Sequence, residues 1–430
     1  MTLPNATPEA LGLDPKRLMK VERWLDQQLA INRLAGASIM VGRKGSVALV
    51  KASGDLQRDS IVRLYSMTKP VTTVAAMILH EQGCFQFDDP VALYLPEFAD
   101  TPVWCPNSEG VDAVLSQVEP QQSLMTVHQL MTHTSGLTYG FMNKTPVDAY
   151  YREHALNFPG ADESLASLVT RLAKAPLVCQ PGSAWNYSVS TDVLGRLVEV
   201  WSGRTLTEFL EQEIFQPLGM NTTNFQVNAD QAEKLVDLYG PAAGGELGGN
   251  QLEPMEVLRA RIETAQGDGL AAPVVLESAG SSSFLKPPAL LSGGGGLVGT
   301  LDDYARFCQM LLNDGELDGV RLLGRKSVEF MRCNQLPEGR DLAAMGQAVW
   351  SESSYSGIGY GLGVAVVLDP VKGQMITSPG EYHWGGAAST FFWVDPAEDL
   401  FVVFLTQLFP SSAYPLRREL RTAVYQALVS

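Results

Sequence analysis

Two places in the 430-residue chain set a serine three residues ahead of a lysine: Ser66-Met-Thr-Lys69 and Ser283-Phe-Leu-Lys286. A serine hydroxyl is a poor nucleophile until a neighbouring base takes its proton. On a helix, a lysine three residues on shares the serine's face and can reach that hydroxyl. The pair can therefore carry nucleophilic acyl transfer, but roughly two such matches are expected by chance in a chain of this length. Context separates them. Lys286 is followed by Pro287-Pro288 in a tract rich in Gly, Ala and Pro, so no helix presents Ser283 and Lys286 together. After Ser66, by contrast, Val71, Val74, Ala75, Ile78 and Leu79 trace a helical apolar stripe, and Gly83 supplies the stop. Pro70 is tolerated only in a first turn, which puts Ser66 at the helix start. Unpaired N–H groups and the helix dipole there favour a developing negative charge. The alternative role for Ser66 is a plain helix cap.

Several elements must hold such a pair. A helix is expected from about Pro15 to Leu29, with Leu18, Val21, Trp24, Leu25 and Leu29 on one face. Strands follow at Ala37–Val41 and Val47–Val50 around a Lys44-Gly45 turn. Near the other end, Gly361–Leu368 reads as a strand closed by Asp369-Pro370. Thr390–Val394 and Leu400–Leu405 read as a hairpin, and Leu416, Leu420, Val424 and Leu428 as a last helix. One sheet built from both chain ends is the economical arrangement. The middle is different: helical patterns dominate about 93–235, with Val193–Phe209 the clearest, and 240–296 reads as loop. A helix resumes at Thr300, where Thr300 and Asp303 suit a capping arrangement. The expected division is residues 1–92 plus 290–430 as an α/β (α+β) domain, and 93–289 as a mainly helical insertion.

Composition narrows the function. Apolar residues at 45% and charged ones at 18% describe a globular chain. A formal charge of −16 disfavours nucleic acid or an anionic membrane as partner. No apolar run approaches the length of a membrane span. Met1-Thr-Leu-Pro-Asn-Ala-Thr-Pro has neither the basic nor the apolar region of a secretion signal. Five cysteines without paired spacing point to reduced thiols and a cytoplasmic protein. The five histidines include no H-x-x-x-H pair, so no metal is expected.

Five tracts occur in a telling order: Ser66-Met-Thr-Lys69, Leu130-Met-Thr-His-Thr-Ser-Gly-Leu137, Tyr187-Ser-Val189, Ser292-Gly-Gly-Gly-Gly-Leu-Val-Gly-Thr300 and His383-Trp-Gly-Gly386. In that order they resemble class C β-lactamases, and more closely the family VIII carboxylesterases that share the fold, over roughly residues 15–425. The resemblance implies a β-lactamase-like fold, an antiparallel sheet flanked by helices. It also implies an acyl-enzyme on Ser66 with no cofactor, and a small-molecule ester as substrate. It gives Lys69 the role of base. Tyr187, one of 13 tyrosines, would relay the proton between serine and leaving group. Trp384-Gly385-Gly386 matches the strand that faces the nucleophile. The N–H groups of Ala387 and Ser66 would there form an oxyanion hole.

Two departures bear on substrate. Trp384 stands where β-lactamases usually carry lysine, and Val189 where they carry asparagine. Losing both groups, which help hold the carboxylate and amide of a β-lactam, favours neutral short-chain esters. Trp384, Gly385, Gly386 and Val189 are the expected substrate contacts. A histidine triad is the nearest rival, yet no G-x-S-x-G occurs, and His133 and His383 read as structural or pocket-lining. An acyltransferase, a β-lactamase, or a penicillin-binding-like protein that stays acylated would use the same serine.

Overall fold

The computed structural model describes residues 2–105, 117–156, 163–241, 271–346 and 355–430. The first helix, α1 (Pro15–Ala30), starts where Asp14 accepts the Arg17 N–H at 2.9 Å and Pro15 occupies the first turn. It buries Leu18, Val21 and Leu25. Strands β1 (Gly36–Arg43) and β2 (Ser46–Gly54) then form a hairpin. Its turn residues Lys44 and Gly45 both have positive φ (49° and 75°), the backbone that matches strand twist in a two-residue turn.

The remaining strands of this sheet come from the far end of the chain: β3 (Ile358–Tyr360), β4 (Ala365–Val367), β5 (Tyr382–Gly385), β6 (Phe391–Asp395) and β7 (Leu400–Thr406). Their order is β3-β4-β5-β6-β7-β1-β2, antiparallel throughout. Alternation of side chains sends consecutive residues to opposite faces. Ile39, Val41, Phe391, Trp393, Val402 and Phe404 pack with Leu18, Val21 and Leu25 of α1 and with Leu416, Leu420 and Val424 of α5 (Leu416–Tyr425). Met40, Phe392, Val394, Phe401, Val403 and Leu405 face the other way. There they pack on α4 (Leu301–Leu312), and the same apolar cluster continues into α2 (Thr68–Glu81) and α3 (Ser190–Ser202). That second core runs unbroken from the sheet into the helices of the middle of the chain.

The expected sheet built from both ends is present, and α4 begins at Thr300, whose side chain accepts the Asp303 N–H. Three expectations need correction. The single strand over Gly361–Leu368 is instead a tight turn leading into β4, because Gly363 turns with φ 73° and its N–H donates to Met131. The helix expected over Val193–Phe209 is two helices, α3 and Leu206–Leu210. Gly203, left-handed at φ 68°, ends the first and Thr205 caps the second. Within the described part of 240–296, Val274–Glu277 is a strand paired with Leu238–Gly240; residues 242–270 lie outside the description. Among the described residues, no helix is long and apolar enough to cross a membrane.

Candidate active site

A single turn of 3-10 helix, Tyr65–Met67, precedes α2 and carries Ser66. Tyr65 holds φ at 45°, a left-handed backbone uncommon for a side chain of that size and a place where strain is stored. The turn is clamped on both sides. Leu64 donates its N–H to the Leu297 carbonyl at 2.9 Å, and its own carbonyl accepts the Met67 N–H at 3.1 Å. On its other side Gly386 approaches so closely that a Cβ there would lie 2.3 Å from the Leu64 oxygen and 2.4 Å from Thr390 Oγ1. Only glycine lets the end of β5 run beside the serine turn.

Around Ser66 the geometry is compact. Lys69 Nζ lies 3.2 Å from Ser66 Oγ and donates to the Gly294 carbonyl at 2.7 Å. The Tyr187 hydroxyl donates to the same Ser66 Oγ at 2.6 Å. Lys69 is wholly buried at 0% exposure, and its ammonium lies 4.7 Å from the centre of the Tyr187 ring and 5.4 Å from that of Tyr139. Burial pulls the Lys69 pKa down to about 7, opposed by the charge of Asp192. Burial also pushes the Tyr187 phenol well above its ordinary value, so it stays protonated, although its bond to Ser66 works the other way.

The other expected site residues divide into two groups. Trp384 sits on β5 with its ring 5.6 Å from that of Tyr187 and 5.3 Å from that of Tyr360. Gly385 ends the strand opposite Phe391, with the Arg417 guanidinium packed against it. Ala387 follows Gly386. No acceptor among the described residues takes a hydrogen bond from the backbone N–H of Ala387 or of Ser66. Val189 is buried in the apolar core, and its N–H donates to the Thr138 carbonyl at 3.3 Å. Ser283 lies in a one-turn 3-10 helix that gives way to extended backbone at Lys286, so that pair shares no helix face.

The histidines make their hydrogen bonds elsewhere. His133 Nδ1 lies 3.1 Å from Ser188 Oγ, and its ring stands behind Tyr187 at 5.0 Å. Burial, with the nearby Lys69 charge, drives its pKa far below the usual imidazole range. His383 points to the opposite face of β5 from Trp384, its Nδ1 2.9 Å from Glu381, which the Arg421 guanidinium holds at 2.8 and 3.1 Å.

Sequence reasoning missed two groups at the serine. One is the Gly294 carbonyl that receives Lys69, within a run of four glycines that reads as loop. The other is Asp192, buried in the first turn of α3. A carboxylate five residues after Tyr187, in the buried first turn of an amphipathic helix, was the available signal for it.

An antiparallel sheet between helical layers, with serine, lysine and tyrosine meeting beside the end of an inner strand, is the arrangement of the β-lactamase-like fold. The sequence model of the Beta-lactamase family matches residues 21–426, and the chain belongs to that family. It is a hydrolase of that fold. Esterase EstB of Burkholderia gladioli is 32% identical over 441 residues, covering 99% of this chain and 100% of EstB. Lovastatin esterase of Penicillium rubens is 28% identical over 80% of this chain and 78% of its own. Among solved structures, EstCE1, a hydrolase with promiscuous acyltransferase activity, superposes with a TM-score of 0.73 at 25% identity, covering 95% of this chain and 99% of that one.

Proposed function

We propose that the protein is a carboxylesterase of the family VIII type, hydrolysing short-chain esters through an acyl-enzyme on Ser66. The observation that carries this reading is the single oxygen, Ser66 Oγ, within hydrogen-bond reach of both Lys69 Nζ (3.2 Å) and the Tyr187 hydroxyl (2.6 Å). With its pKa near 7, Lys69 is neutral in much of the population at physiological pH and takes the serine proton as Oγ attacks the ester carbonyl. The carbonyl oxygen becomes an oxyanion, and the N–H groups of Ser66 and Ala387 are its donors. As the tetrahedral intermediate collapses, Tyr187 gives its proton to the departing alcohol and is reprotonated from the ammonium of Lys69. Water then attacks the acyl-enzyme by the reverse route, and Ser66 recovers its proton. An acceptor alcohol in place of water turns the same cycle into acyl transfer, the promiscuous activity of EstCE1.

Trp384 supports the ester reading. Where β-lactamases place an ammonium, this site presents an indole beside Tyr187, able to pack against an acyl or alcohol group but not to pair with a carboxylate. Val189, being buried, bears on substrate only through the absence of an amide. The partner is accordingly a small neutral ester rather than nucleic acid or membrane. The setting we propose is cytoplasmic: no disulfide joins any of the five cysteines. One preparation tests the whole reading. A fluorophosphonate should label Ser66, Ser66→Ala should abolish ester hydrolysis with the fold intact, and kcat/KM for p-nitrophenyl acetate or butyrate should exceed that for any penicillin or cephalosporin. Labelling at Ser135 or Ser283, or a β-lactam turned over faster than every ester, refutes it.

A further inference from the structure

Asp192 is 1% exposed in the first turn of α3, and no role in the chemistry above requires it. One carboxylate oxygen, Oδ1, accepts the Ser292 hydroxyl at 2.5 Å and the Gly294 N–H at 3.1 Å. The other, Oδ2, is buried with no hydrogen-bond partner among the described residues. The same glycine that donates its N–H to Asp192 offers its carbonyl to Lys69 Nζ at 2.7 Å. One residue thus joins the buried acid to the buried base. Its place is tightly defined: a Cβ on Gly294 would lie 2.7 Å from Asp192 Oδ2 and 2.9 Å from the Tyr139 hydroxyl. The preceding Gly293 carbonyl accepts Thr72 Oγ1 at 2.8 Å, which pins the tract to α2 as well.

A buried carboxylate with an unpaired oxygen is costly unless a cation lies near. The titratable groups that feel Asp192 are Tyr139, Tyr187 and Lys69, with Tyr360 and His133 packed beside the phenols. The phenols are held protonated and the imidazole neutral by burial, so Lys69 is the one that supplies the countercharge. Arg417, on α5, acts on Tyr187 from beyond it.

We propose that Asp192 is the positioning residue of the Lys69 base: through the Gly294 peptide it aims the acceptor that holds Nζ on Ser66, and its charge sets how firmly Lys69 keeps its proton. The inference rests on Lys69 being the base for Ser66. Asp192→Asn keeps the shape and an acceptor for the Gly294 N–H while removing the charge. The sign follows directly. An ammonium without its neighbouring anion gives up its proton more readily, so the acid limb of the kcat/KM profile should move to lower pH. In the same variant kcat should fall about tenfold or more, with KM for a neutral ester little changed, since the interaction acts on the base and not on substrate binding.

Folding is checked by the melting curve. Should Asp192→Asn not fold, Ser292→Ala carries the test, because it keeps the charge and removes one anchor; kcat about threefold lower at unchanged KM is then expected. An acid limb that stays in place or moves up in folded Asp192→Asn, or kcat within twofold of wild type in Ser292→Ala, overturns the proposal. Failure of the underlying reading looks different: Lys69→Ala would then retain activity whatever Asp192 does.

Discussion

At the scale of single residues, the site turns on one proton and the two groups that pass it. In the proposed cycle Lys69 must be neutral to accept the Ser66 proton, and its pKa is drawn down to about 7 chiefly by burial. Activity should therefore rise with pH through about 7 and then level off, because the Tyr187 phenol stays protonated well beyond that range. A pH profile of kcat/KM for a neutral ester checks this; a profile flat from pH 5 to 9 would contradict it. Lys69→Ala and Tyr187→Phe should each lower kcat on the order of a hundredfold, the usual worth of a general acid or base. His133→Ala and His383→Ala should leave the position of the acid limb alone, since neither ring is bonded to the serine. Much of this was legible beforehand: spacing alone leaves Ser66 and Lys69 level with Ser283 and Lys286, but Pro70 and the apolar stripe after it set a helix start at Ser66. Asp192 and Gly294 were not. Their contact joins positions 102 apart in sequence, and no local period records it.

Among the elements, the 3-10 turn before α2 brings Ser66, α2 brings Lys69, the segment leading into α3 brings Tyr187, and β5 with the residues just after it brings Trp384 and the N–H of Ala387. What keeps β5 at the serine turn is the bare Cα of Gly386 against the Leu64 carbonyl. Gly386→Ala should force the strand end off that turn and lower kcat by about tenfold or more, the scale on which small misplacements of reacting groups are felt. Gly280→Ala, where a Cβ meets nothing within 4 Å, is the matched control and should be silent. Steady-state kinetics on both variants decides the point, and an unimpaired Gly386→Ala would show that the contact is dispensable. Elements whose pattern is local were readable: α1 by its apolar stripe, β1–β2 by the Lys44-Gly45 turn, β6–β7 by alternation. Misreadings occurred where a glycine changes the meaning of an apolar run. Gly363 converts the middle of Gly361–Leu368 into a turn, and Gly203 divides Val193–Phe209, although Leu206, Phe209 and Leu210 remain buried on either reading.

For the molecule as a whole, the sheet draws two strands from residues 36–54 and five from residues 358–406, and the helices between them share its second core. The proposed chemistry requires that both be seated at once, since Tyr187 comes from the helical side and Ala387 from the sheet. Chains of this size often unfold in stages. Here any stage that loosens the helices from the sheet separates the hydroxyl of Tyr187 from Ser66 while leaving strands and most helices formed. In a denaturant series, the rate of fluorophosphonate attachment at Ser66 should vanish before the near-ultraviolet dichroism or together with it. Attachment that outlasts the dichroism would show that the nucleophile needs no assembled partner. Reactivity in this protein thus doubles as a gauge of assembly. In the proposed cycle the tyrosine that protonates the departing alcohol meets the serine only across a seam, so a chain that is folded but not closed should keep nucleophile and base together yet fail to complete acyl transfer.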